Sequence, residues 1–141
     1  MILADTSVWI AHFRNGSDDL KRALENAEIL CHPHIVGELA CGNLRNRDDI
    51  LEFLRALPPA PIATDDEVLA CIERNHLYGT GLGYTDVHLL ASAMLTPTRL
   101  WTLDGALGRE AKRLHLARED ASRAFSQQPR LEAAFRTRSR R

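Results

Sequence analysis

Three short apolar segments punctuate this chain, and stretches with helical character separate them. The segments are Met1–Ala4, Ile29–Cys31 and Arg99–Leu103. Each is too short for a helix, and its composition suits a buried strand. Short strands that alternate with helices predict an α/β domain with a parallel sheet, because each helix returns the chain before the next strand begins. The predicted architecture is a three-layer α/β/α domain with a short central parallel sheet.

Capping residues, apolar spacing and proline stops mark the helices between these strands. Tyr84–Leu95 is the most apolar of them, and it follows a loop rich in glycine. The other helices are predicted to begin after Asp5, at Ser17, within His34–Leu44, at Asn46 or Arg47, at Thr64 and at about Ala106.

The charge of the chain is unevenly distributed. Residues 1–117 carry 11 Lys and Arg against 16 Asp and Glu, a net charge of −5, whereas residues 118–141 carry 7 Arg against 3 acids, a net charge of +4. We therefore predict one folded domain over 1–117 and an Arg-rich C-terminal extension over 118–141, partly helical or disordered. The extension suits either a solubilising end or an arm that contacts RNA or a protein partner.

Nothing in the sequence points to a membrane or an oxidising compartment. No apolar run approaches the ~18–20 residues that cross a bilayer, and the N-terminus has no basic leader. The three cysteines, Cys31, Cys41 and Cys71, form neither a CxxC pair nor an even-numbered disulfide framework. A cytoplasmic protein with buried or half-buried thiols is the expectation.

Four acidic residues interrupt otherwise apolar surroundings. Asp5 and Asp104 come directly after predicted strands, and the carboxyl ends of parallel strands share one edge of a sheet. Glu38 and Asp86 lie on apolar helix faces. A carboxylate on a buried face is costly unless it is paired or bound to a metal. These placements predict that the four acids form one site.

Clustered carboxylates repel one another unless a cation binds them, and hard oxygen ligands favour Mg²⁺ or Mn²⁺. Such an ion activates water and neutralises charge on a phosphodiester, so metal-assisted phosphodiester hydrolysis is the natural chemistry. The cysteines and histidines do not have zinc spacing, and no Ser–His–Asp ordering is evident.

Each acid also has a purely structural interpretation. Asp5 suits the N-cap of the first helix, and Asp104 suits an Asp-Gly turn. Glu38 suits an ion pair with a nearby arginine, and Asp86 suits a cap behind the glycine loop. Singly the four signals are weak, and their combination is what favours a site.

Several other histidine, tryptophan and glycine residues have structural interpretations. His88 lies two positions from Asp86 and hence on a different helix face, so packing or partner contact is favoured over catalysis. The same holds for His12 and His34. Trp9 and Trp101 are expected in the core, with a base-stacking surface as the alternative. The loop Gly79–Gly83 follows no strand, so it is expected to permit close backbone approach rather than to bind a dinucleotide.

The segments ILADTSVWI, HIVGELACG, YTDVHLLASAML and LWTLDGAL together resemble PIN-domain proteins, and in particular the VapC-type toxins of bacterial toxin–antitoxin systems. The resemblance covers roughly Met1 to Ala117. It implies a PIN-like α/β fold and Mg²⁺- or Mn²⁺-dependent endoribonuclease activity. It also implies inhibition by a small cognate antitoxin, and a homodimer.

The resemblance also implies roles for the acids. Asp5 and Asp86 match the first and third family acids and would be the metal ligands. Glu38 matches the second acid, which binds the metal or orients its waters. Asp104 matches the fourth, which acts beside the first ion or on a second one.

Three hydroxyl residues accompany these acids. Thr6 and Ser7 match the polar residues after the first acid, which hydrogen-bond Asp5 or a water of the site. Thr102 lies just before the fourth acid.

Three rival functions remain open at this level. One is a module that binds RNA or antitoxin without cleavage, and another is a metal-dependent DNA nuclease, since the preference for RNA rests on the resemblance alone. The third, a phospho-acceptor domain, would need a second acid beside Asp5, and the neighbouring residues supply none.

Overall fold

A parallel sheet of three strands lies at the centre of the fold. The computed structural model describes residues 1–119. The strands are β1 (Ile2–Ala4), β2 (Ile29–Leu30) and β3 (Arg99–Trp101), in the order β2-β1-β3. Ile2 is in register with Ile29 on one side and with Arg99 on the other. The predicted parallel sheet is confirmed, with β1 as its central strand.

Seven helices surround the sheet in the part of the chain that the structure describes, and they complete the predicted three-layer α/β/α arrangement. Each predicted helix is present. The predicted capping residues form the expected hydrogen bonds. Ser17 caps the second helix, and Thr64 and Glu67 form a capping box at the start of the fifth. The helices are α1 (Thr6–Asn15), α2 (Asp18–Glu25), α3 (Pro33–Cys41), α4 (Arg47–Ala56), α5 (Asp65–Arg74), α6 (Tyr84–Leu95) and α7 (Gly105–Arg113).

The core lies between the sheet and the helices, and α6 contributes the longest buried stretch. Every residue of α6 from 87 to 93 is buried. Such a helix packs on several sides at once, which explains why its sequence is apolar around most of its circumference. Trp9 of α1 is also in the core as predicted, at 1% exposure, whereas Trp101 is only half-buried.

The predicted third strand is too long. β3 ends at Trp101, and Leu103 is 62% exposed. The backbone after Trp101 bonds to side chains instead of a strand: the Leu103 N–H donates to Ser7 Oγ at 2.9 Å, and the Asp104 N–H donates to Thr102 Oγ1 at 3.0 Å. Asp104 therefore follows a short linker, not a strand.

The cysteines partly depart from expectation. Cys31 and Cys71 are buried, but Cys41 is exposed because it ends α3 at the surface. Cys31 lies just beyond β2, where it forms an isolated parallel bridge with Pro59.

After α7 the chain returns to the outer edge of β3. The Leu100 N–H donates to Leu116 O at 2.7 Å, and the Arg118 N–H donates to Leu100 O at 2.8 Å. The Arg118 guanidinium lies 3.9 Å from the centre of the Trp101 ring. The predictions for the rest of the extension, including its partial helix and its RNA-contacting role, concern residues outside those described. Among residues 1–119, no helix has the length and apolarity needed to span a bilayer.

Candidate active site

Asp5 is the most buried of the four predicted acids, at 5% exposure. It directly follows β1 and is the N-cap of α1, where its Oδ1 accepts hydrogen bonds from the Val8 N–H at 3.2 Å and from the Ser7 hydroxyl. Its Oδ2 accepts a hydrogen bond from Thr102 Oγ1. A carboxylate has about four acceptor positions, so these three donors orient Asp5 and leave one position for a cation.

Asp104 is the N-cap of α7 and is exposed. Its Oδ1 accepts from the N–H groups of Ala106 at 2.8 Å and Leu107 at 3.4 Å, which leaves Oδ2 without a hydrogen bond in the described part of the chain. Thr102 joins this acid to Asp5, because its hydroxyl donates to Asp5 and accepts the Asp104 N–H.

Glu38 lies on α3 between the buried residues Ile35 and Leu39, yet its own side chain is exposed. The expectation of a buried Glu38 was therefore wrong, because successive helix residues turn by about 100° and position 38 leaves the apolar face. Glu38 Oε2 accepts a hydrogen bond from the Thr6 hydroxyl, which ties α3 to the start of α1. The structural alternative, a pair with a nearby arginine, is not formed within residues 1–119: Arg47 donates to Ala40 O at 3.0 Å instead.

Asp86 lies in the first turn of α6 and is half-buried. Its Oδ2 accepts the Gly83 N–H at 3.0 Å, so it also helps to cap its helix. Burial raises the pKa of Asp86 above its usual range, and the charges of Asp104, Glu38 and Asp5 raise it further, against the opposing effect of the Gly83 N–H. Asp86 thus experiences the charge of each of the other three carboxylates.

No basic residue in the described part of the chain neutralises the four acids. No Lys, Arg or His nitrogen of residues 1–119 lies within 4.0 Å of any of the four carboxylates, since every ion pair found there involves other acids. Nor do three or more His, Cys, Asp or Glu side chains of this part form a ready-made metal cage. Mg²⁺ typically takes only one or two carboxylates and completes its shell with water and substrate phosphate. The oxygen donors of the four acids suit the coordination chemistry of such an ion.

A cluster of three histidines, two at the start of α3 and one on α6, was not anticipated as a unit. The ring centroids of His34 and His88 are 4.3 Å apart, and those of His32 and His34 are 5.1 Å apart. His32 is fully buried and caps α3 by accepting the His34 N–H at Nδ1, 3.0 Å away. Burial, with His34 and His88 nearby, lowers the pKa of His32 to about 4. The only sequence signal was the presence of histidine on both sides of a proline and again in an apolar helix.

The expected packing of His88 is confirmed, since it is 4% exposed, and the glycine loop behaves as predicted. Gly79 and Gly81 adopt φ of 70° and 84°, a region that favours glycine. A Cβ on Gly81 would also lie 3.9 Å from Ala106 Cβ, so the loop passes close to the start of α7.

The chain is similar in sequence to known proteins. The model of the PIN domain family matches residues 2–113 of the chain. Ribonuclease VapC32 of Mycobacterium tuberculosis, from the strains CDC 1551/Oshkosh and ATCC 25618/H37Rv, is 45% identical over 108 residues, which cover 76% of this chain and 87% of the relative.

Proposed function

We propose a function from one premise: the chain belongs to the PIN domain family. Its relatives of 45% identity are named ribonucleases, and the carboxylate cluster described above suits phosphodiester chemistry. The proposal is that this chain is a Mg²⁺- or Mn²⁺-dependent endoribonuclease, a hydrolase of RNA phosphodiesters, and the toxin of a type II toxin–antitoxin pair.

The observation that carries the proposal is Asp86 under the charge of three further carboxylates, with no basic partner for any of the four in residues 1–119. Such a cluster destabilises the metal-free fold unless a positive charge offsets the repulsion. A divalent cation would do so, and when bound it would activate water and neutralise charge on the scissile phosphate. Asp5 and Asp86 are proposed as its direct ligands.

The remaining side chains are proposed to position these ligands. Ser7 and Thr102 fix both oxygens of Asp5, so that its carboxylate is oriented before any ion arrives. Thr6 holds one oxygen of Glu38, Oε2, in the same way. A ligand that is already fixed loses little conformational entropy when it binds, which favours both affinity and correct geometry.

The test is cleavage of a single-stranded RNA by the wild-type chain and by Asp86→Asn, each in Mg²⁺ and in EDTA. Only the wild type in Mg²⁺ should cleave. Asp49→Asn is a matched control, because Asp49 lies in the first turn of α4 and belongs to no site interaction. Equal cleavage in EDTA and Mg²⁺ would contradict the metal mechanism, and absence of cleavage in all samples would favour a binding module.

The choice of RNA over DNA needs its own measurement. RNA and DNA of one base sequence, compared in the same assay, should show cleavage of RNA only, because contacts to the 2′-hydroxyl distinguish the two sugars. Cleavage of DNA at a similar rate would favour the rival nuclease function.

A toxin requires a protein partner that silences it. We propose that expression of the wild-type chain alone arrests bacterial growth, and that a small cognate antitoxin relieves the arrest by covering the acidic cleft. Asp86→Asn should be harmless when it is expressed to the same level. Growth arrest by Asp86→Asn would show that toxicity does not depend on cleavage.

We also propose a homodimer, through the groove between α5 and α6. Ala70 and Cys71 lie along this groove, and Met94 and Leu95 border it with 40% and 46% exposure. Acids begin α5 and Arg74 ends it. A second copy packed antiparallel about a two-fold axis would pair these opposite charges.

The dimer predicts that Leu95→Glu yields monomers in sedimentation at micromolar concentration, whereas the wild type sediments as a dimer. A wild type that is already monomeric under these conditions would refute the dimer.

A further inference from the structure

We propose that Tyr84 and His34 form a stacking subsite that holds one nucleobase of a single-stranded RNA beside the four carboxylates. The inference rests on the proposed function, because it assumes that RNA enters the acidic cleft. Neither side chain has a role in the metal site described above.

Both rings rest on the same buried side chain, His88. The His34 and His88 ring centroids are 4.3 Å apart with an interplanar angle of 36°, and the Tyr84 ring stands edge-on to His88 at 4.7 Å and 90°. His88 itself is 4% exposed. The buried imidazole of His88 therefore supports the two more exposed rings of His34 and Tyr84.

The two upper rings are fixed as well as accessible. Tyr84 is 47% exposed, and its hydroxyl donates to Asp65 Oδ1 at 2.8 Å. His34 is half-buried, and its Nδ1 lies 3.3 Å from Thr85 Oγ1. Each ring is held by its contact with His88 and by a hydrogen-bonding atom. It therefore loses little conformational entropy when a base stacks on it, as in a preorganised site.

The position of the rings links them to the cleft. Tyr84 begins α6 two residues before Asp86, on the helix face of His88 rather than on that of the acid, so it borders the cleft along the helix axis. His34 precedes Glu38 by four residues on α3, and residues at that spacing lie on the same face of a helix. A chain whose scissile phosphate reaches the carboxylates would thus bring a neighbouring base to the two rings.

Stacking also answers an electrostatic difficulty. Residues 1–117 have a net charge of −5 and the cleft contains four carboxylates, so general attraction to a polyanion is weak there. Stacking on an aromatic ring needs no positive charge and accepts any base, since every base has a flat face. It does need an unpaired, splayed base, which selects single-stranded RNA.

The experiment is a set of RNA oligonucleotides, each lacking the base at one successive position, cleaved by wild type and variants in Mg²⁺. Loss of one particular base should lower kcat/KM of the wild type by about 5- to 160-fold, the range for one stacked base. In Tyr84→Ala and in His34→Ala, the same base loss should have a much smaller effect, because the stacking partner is already gone. Tyr84→Phe keeps the ring and should keep most of the wild-type penalty.

Phe53→Ala is the matched control. Phe53 is an aromatic residue of α4 with 48% exposure that stacks edge-on with Trp9 and not with the histidines. This variant should show the full wild-type penalty. Equal penalties in wild type, Tyr84→Ala and His34→Ala would overturn the subsite while leaving the ribonuclease function intact.

A second measurement distinguishes failure of the stacking subsite from failure of the ribonuclease function. RNA carrying 2-aminopurine at the sensitive position, or at each position in turn, is titrated with protein in EDTA, and stacking on Tyr84 should quench its fluorescence. Quenching by the wild type that is lost in Tyr84→Ala, in a protein that cleaves no RNA, would keep the subsite and refute the ribonuclease. Absence of both quenching and cleavage would refute both.

Discussion

Replacement of Asp86 by asparagine should stabilise the metal-free protein. Asparagine keeps an oxygen that can accept the Gly83 N–H, so the cap of α6 survives and only the charge is removed. Burial and three neighbouring acids raise the pKa of Asp86. A carboxyl whose pKa is higher in the folded state than in the unfolded state lowers the free energy of unfolding once pH exceeds its unfolded pKa. At neutral pH the ionised Asp86 is therefore a destabilising group.

The expected gain follows from its surroundings. Exposed charge pairs contribute about 0.2–1 kcal/mol each, and Asp86 is half-buried with three like charges acting on it. Relief of this repulsion, reduced by solvent screening, amounts to about 1 kcal/mol. For a domain of this size that corresponds to an increase in Tm of roughly 3–4 °C.

The assay is thermal unfolding followed by circular dichroism, in EDTA and in a Mg²⁺ series. In EDTA, Asp86→Asn should melt above the wild type. In Mg²⁺ the order should reverse, because an ion at 100 times its Kd stabilises the wild type by about 2.7 kcal/mol and the variant by much less. Asp49→Asn removes an acid outside the cleft, so it should not melt above the wild type in EDTA and should gain as much from Mg²⁺ as the wild type. A lower Tm for Asp86→Asn in EDTA, or an equal gain from Mg²⁺ in both proteins, would refute the reasoning.

Two further substitutions test the buried groups around the cleft. Asp5→Ala should lower the free energy of unfolding by about 2–4 kcal/mol in urea titrations. It removes the α1 cap and leaves the partly buried Ser7 and Thr102 hydroxyls without their acceptor. A loss of less than about 1 kcal/mol would contradict this expectation. His32→Asn, which keeps an acceptor for the His34 N–H, should make stability less sensitive to acid. The free energy of unfolding of the wild type should fall by up to about 3 kcal/mol between pH 6.5 and pH 4, because His32 binds a proton in the unfolded chain but stays neutral in the fold. Identical pH profiles for the two proteins would count against this expectation.

Elements with local signals could be predicted from the sequence. Tyr84–Leu95 is a helix over the predicted range, since a glycine loop, an apolar run and a following proline define it within the segment itself. Ser17 and Thr64 cap helices because their hydroxyls bond N–H groups only three residues ahead. The parallel sheet followed from the alternation of strands and helices.

Features that depend on distant contacts could not be predicted in the same way. The end of β3 is set by Ser7, whose hydroxyl accepts the N–H of Leu103 ninety-six residues away. The histidine cluster joins α3 to α6, so neither segment alone reveals it. Glu38 was expected to be buried because its neighbours are apolar, but the exact rotation of a helix against its partners decides the exposure of a residue at the border of the apolar face.

The structural and functional interpretations of the acids prove compatible at the level of individual oxygens. Asp104 caps α7 through Oδ1 alone, and Asp5 retains one acceptor position beyond its three hydrogen bonds. Helix capping thus holds these carboxylates at one edge of the sheet, and the proposed ion would use the oxygen positions that remain. It follows that substitutions at Asp5 disturb folding and chemistry together, so a loss of activity there identifies neither. Asp86→Asn keeps the cap and removes the charge, which makes it the variant whose loss of cleavage can be assigned to chemistry.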